Sequence, residues 1–180
     1  MEIVLYLFAA LAVGATLGWW LGRSRQQSLH AQTEARHAAE RATLTAERDQ
    51  TALAGEIIEM REKMFPTHPP VDSNVKYARG GVVDVEFIVQ YLILAHARKY
   101  PQLLDNYGNI ALLNIAADSG LIDKTLAEQS RTAYRFYRQQ QHNTKLRDAE
   151  KTEVTDELLS HYGNVRKLWK EVFGEEVKFG

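Results

Sequence analysis

The sequence predicts an all-α protein: a single transmembrane helix, a helical stalk and a carboxy-terminal helical bundle. Three observations carry this. Ile3 to Leu21 is a run of 19 residues without a formal charge. From Gln26 to about Asp49 the chain is rich in Ala, Arg, Glu, Gln and Thr, with no Pro or Gly to break a helix. Beyond residue 57, apolar runs of helical length alternate with Pro- and Gly-bearing punctuation, without the strict alternation of a strand. The expected boundaries are 1–22 for the anchor, 23–56 for the stalk and 57–180 for the bundle.

As a helix, the uncharged run spans roughly 28 Å, close to the ~30 Å hydrocarbon core of a bilayer. Trp19 and Trp20 stand at its end, where aromatic rings favour the interface, and Arg23 and Arg25 follow. Only Glu2 precedes the run, which disfavours a cleavable signal peptide. The positive-inside rule then puts the chain in an inner membrane as a single-pass protein, with everything after Arg23 in the cytoplasm. Gly14, Gly18 and Gly22 form a small-residue stripe, which suggests a homo-oligomer packed through this helix and the stalk.

A heptad-like seam through Leu29, Gln32, Arg36, Ala39, Thr43, Ala46 and Gln50 has one large apolar member, so the stalk has only a weak coiled-coil tendency. The seam improves at Leu53, Ile57, Met60 and Met64. A loop from Phe65 to Gly81 carries Pro66, Pro69, Pro70, Gly80 and Gly81. Val82 to Lys99 is apolar on nearly every side and reads as the central buried helix, ended by Pro101. A shorter helix is expected from Asn109 to Asp118, closed by Gly120. Asp123 can cap a long helix reaching about Asp148, with Leu126, Ser130, Ala133 and Tyr137 on its core face. Thr155 can cap the last helix, with Val154 and Leu159 as a hydrophobic staple and Gly174 as its stop.

Charge and composition exclude several functions. Lys plus Arg number 22 against 23 Asp plus Glu, a net charge of -1, which gives no excess for nucleic-acid binding. The chain has no cysteine, so disulfides and Cys-based zinc sites are excluded. The six histidines show no metal-ligand spacing, and no catalytic or metal-binding residue is predicted.

Asp84, Glu86 and Gln90 interrupt the apolar central helix, where an unpartnered charge is expensive. Two helical positions apart means about 200° around the axis, so Asp84 and Glu86 cannot act as one carboxylate pair. Two readings stand. Asp84 caps the helix while Glu86 pairs with Arg79, Arg135 or Arg138. Alternatively, Gly80-Gly81 opens a helix N-terminus to a phosphate, with Lys76 and Arg79 adding charge. Arg131, Arg135, Arg138 and His142 form a stripe beside Tyr134 and Tyr137, either a solvated face or a partner-binding surface.

The string Met60-Arg61-Glu62-Lys63-Met64, followed by Lys76-Tyr77-Ala78-Arg79-Gly80-Gly81-Val82-Val83-Asp84-Val85-Glu86-Phe87 and later Tyr134-Arg135-Phe136-Tyr137-Arg138, resembles the C-terminal domain of bacterial glutamine synthetase adenylyltransferase. The resemblance covers about residues 57–174. It implies a helical domain packed against an active site that moves AMP from ATP onto a tyrosine of glutamine synthetase, using Mg2+, under control of a PII signal protein. It makes Lys76, Arg79, Gly80, Gly81, Asp84, Glu86 and Gln90 nucleotide-binding or domain-interface residues. The Asp-x-Asp carboxylates that follow a Gly-Ser turn in such transferases are missing here. By this reading the chain binds no cofactor and is inactive alone, and its partners are glutamine synthetase, the PII protein or the missing catalytic domain.

The first 55 residues resemble instead the anchor and stalk of RmuC-type DNA-recombination proteins. A hybrid reading frame joined near Gly55 to Ile58, in a bacterial inner membrane, accounts for both likenesses. The alternative function is a membrane-anchored coiled-coil scaffold with a helical protein-binding domain.

Overall fold

The computed structural model describes residues 36–46, 48–105, 108–146 and 151–174, which contain helices and no strand. The chain divides into two compact units, one ending at Asp49 and the other starting at Gln50. In the first, residues 36–46 are helical and exposed, including Arg36, Ala39, Thr43 and Ala46 of the expected seam. The Thr43 and Thr45 hydroxyls donate back to the carbonyls of Ala39 and Arg41, both at 2.9 Å.

The second unit begins with α1 (50–63). Then follow α2 (Val82–His96), a 3-10 turn (Pro101–Leu104), α3 (Asn109–Asp118), α4 (Lys124–Leu146) and α5 (Asp156–Phe173). α2 is the centre because apolar side chains surround it. Val82, Val83, Val85, Ile88, Val89, Tyr91 and Leu92 are all buried, and α3, α4 and α5 pack against it. α1 runs antiparallel to α2. Gln50 Nε2 donates to the Ala95 carbonyl at one end (3.2 Å), and Arg61 reaches Asp84 at the other.

Local chemistry sets the helix ends. Asp123 accepts from the Leu126 amide at 2.9 Å, and Thr155 Oγ1 from the Leu158 amide at 3.2 Å, so both expected caps form. α3 closes with Gly120 at φ 71°, its amide bonding Ala117 O while Leu121 bonds Ala116 O. Ser130, Ala133 and Tyr137 are buried on α4 as predicted, and Leu126 packs at the core edge.

Four expectations are corrected. The central helix stops at His96 rather than Lys99, and Pro101 then starts the 3-10 turn. The α1 seam follows the i,i+4 row from Ile57 to Arg61, which is 1% exposed, whereas Met60 is 53% exposed. Val154 and Leu159, the expected staple, both lie on the surface rather than in the core. Finally, the single-pass inner-membrane placement is withdrawn. Among the described residues no helix is long and apolar enough to cross a bilayer. The most apolar, α2, has 15 residues and carries Asp84 and Glu86; it would reach only about 22 Å. Residues 3–21, with Gly14 and Gly18, and Gly22 beside them, lie outside the described residues.

Candidate functional site

The motif at the start of α2 builds a buried knot. Arg61, from the last turn of α1, donates through Nε to Asp84 Oδ1 at 2.5 Å and through Nη2 to Tyr77 O at 2.8 Å. The other Asp84 oxygen accepts the Gly80 amide at 2.6 Å. Tyr137 of α4 donates to Gly80 O, and Tyr162 of α5 donates to Asp72 O, both at 2.9 Å. Arg61 and Asp84 thus tie α1 and α2 to the preceding loop, and the tyrosines bring in the two long helices. Burial pushes the Asp84 carboxyl up, opposed chiefly by the Arg61 charge and hydrogen bond. Burial also pushes the Tyr137 and Tyr162 hydroxyls up, so both stay protonated donors.

The two glycines serve packing. Gly80 has φ 78°, and a Cβ there would collide with the Tyr162 carbonyl and lie 2.9 Å from the Tyr162 Cα. A Cβ at Gly81 would collide with Val75 O and lie 2.9 Å from Ala78 O. The backbone of α5 and the loop therefore close directly onto this dipeptide. The amides at this end are also consumed: Gly81 bonds Ala78 O at 2.9 Å, Val82 bonds Val75 O and Val83 bonds Lys76 O at 3.1 Å. With Gly80 on Asp84, the amides of residues 80–83 all have protein acceptors. These amides therefore serve the fold of the loop rather than standing open at the helix N-terminus.

The other expected site residues are distributed around the bundle. Lys76, Glu86 and Gln90 line a shallow cavity with Met64 and Phe87. Lys76 also borders a polar cavity of about 490 Å³ with Arg138 and His142, so these two predicted groups adjoin. Arg131 is elsewhere, bonded to Asn114 (2.9 Å) and Glu128 (2.7 Å), and Arg135 is exposed. Glu86 meets the Tyr134 hydroxyl at 3.5 Å, whose other partner is Asn109 at 2.9 Å. Neither Arg135 nor Arg138 forms the expected ion pair with Glu86 among the described residues, and Glu86 meets the Tyr134 hydroxyl instead. Arg79 and Asp84 border a third cavity, with Arg166, Lys167 and Lys170 of α5.

The profile of the GlnD PII-uridylyltransferase family matches residues 27–161, three-quarters of the chain. The chain belongs to this family. Curated relatives carry the name bifunctional glutamine synthetase adenylyltransferase/adenylyl-removing enzyme. Those from Neisseria meningitidis serogroup A (strain Z2491) and serogroup B (strain MC58) are each 92% identical over 134 residues, which is 74% of this chain and 15% of the relative. The Chromobacterium violaceum relative is 51% identical over 142 residues, 79% of this chain and 16% of its own length. The chain thus spans about 15% of the length of these relatives. The family match extends over residues 27–56, which the sequence reading set apart as a stalk.

The residues present do not fit the magnesium ions that adenylyl transfer implies. Asp84 is the one buried carboxylate among the described residues, and Arg61 and the Gly80 amide occupy both of its oxygens. Glu86 points to a different side, toward Tyr134. Among the described residues no three His, Asp or Glu side chains gather in one place.

Arg61 is the buried partner of Asp84 that sequence reasoning passed over. Its signal was available: an arginine four residues after Ile57, on the one row of α1 otherwise filled by apolar side chains. A charge on such a row needs a buried partner, and Asp84 was the unexplained acid.

Proposed function

We propose that residues 50–174 are a helical docking module of glutamine synthetase adenylyltransferase, which braces the catalytic domain and supplies none of the acids that hold its metal. The observation that carries this reading is the commitment of both Asp84 oxygens to Arg61 and the Gly80 amide. A buried carboxylate so engaged, with Arg61 on one oxygen and the Gly80 amide on the other, organises a fold. ATP and Mg2+ belong, by this account, to the catalytic domain of the whole enzyme, and glutamine synthetase and the PII protein are partners of that whole. Lys76, Glu86 and Gln90, beside Met64 and Phe87, offer a mixed polar and apolar face suited to a domain interface. Arg135, Arg138 and His142 continue it toward a partner protein.

Reconstitution tests this. The full chain is mixed with a relative's enzyme truncated before the matching segment, and AMP incorporation into glutamine synthetase is measured with Mg-ATP. The expected result is a complex in sedimentation and transfer restored toward the intact enzyme. No complex and no gain in transfer would refute the docking role. Substituting Lys76 and Glu86 together, as K76E with E86K, should weaken the complex while leaving the fold intact by circular dichroism.

A further inference from the structure

We draw no further inference here: the strongest candidate, the cavity of about 410 Å³ between the loop at Arg79 and α5, which Gly163 also lines, carries nothing, since its exposed α5 cations need no ligand and the partnerless indole nitrogen of Trp169 on its wall is buried beyond the reach of one.

Discussion

The two sides of the Arg79-Gly80-Gly81 turn differ in how deeply their charges are buried. On the inner side, Arg61, Asp84 and the Gly80 amide pair among themselves, and Tyr137 and Tyr162 complete the set. On the outer side, Arg166, Lys167 and Lys170 are exposed along α5, lining a cavity with Arg79. The difference teaches that residues adjacent in a motif can have opposite duties. A buried, mutually paired charge specifies how helices meet, whereas exposed charges are solvated and contribute little to the fold.

The inner side should break hardest. Asp84→Ala leaves the Arg61 guanidinium buried without its partner and should lower stability by roughly 3–5 kcal/mol, read from urea unfolding midpoints. Replacing both partners, as R61M with D84L, should recover much of that loss. Equal losses in the single and double variants would show that the pair is not coupled. Next in size is Gly80→Ala, with φ at 78° and the Tyr162 backbone against the new Cβ. Left-handed strain and overpacking together predict a loss of roughly 2–4 kcal/mol.

The outer side should behave in the opposite sense. Gly163→Ala has open space for its Cβ, and should raise stability by about 0.5–1 kcal/mol in thermal or urea unfolding. A loss there would mean that the cavity is tighter than its geometry shows.

The smallest effect is a pH dependence outside both regions. Burial holds the His161 and His96 imidazoles below their usual 6.5, with Glu157 opposing at His161 and Lys99 adding to the shift at His96. The unfolded chain therefore takes up protons first as pH falls. Stability should decline as pH drops through 6.5 and level off below the folded pKa values. His161→Asn should flatten that slope, and an unchanged slope would remove His161 from the account.

Much of the bundle was legible because its helices are written in apolar spacing and end signals. Val82–His96 is apolar on nearly all sides, Asp123 and Thr155 cap, and Gly120 and Gly174 stop. The staple was misread because Val154 and Leu159 fit a local pattern that tertiary packing left on the surface. The site was harder. Arg61 and Asp84 are 23 residues apart, and no local rule joins them. The glycine pair suggested a phosphate loop, yet their amides are spent on Asp84 and the 75–78 carbonyls, a fact only the folded loop reveals.

The central claim is that this chain braces adenylyl transfer and does not perform it. The most direct measurement incubates the purified chain with glutamine synthetase and magnesium ATP labelled at the α-phosphate. The account predicts a synthetase free of label at every chain concentration, and labelled tyrosine produced by this chain alone would contradict it.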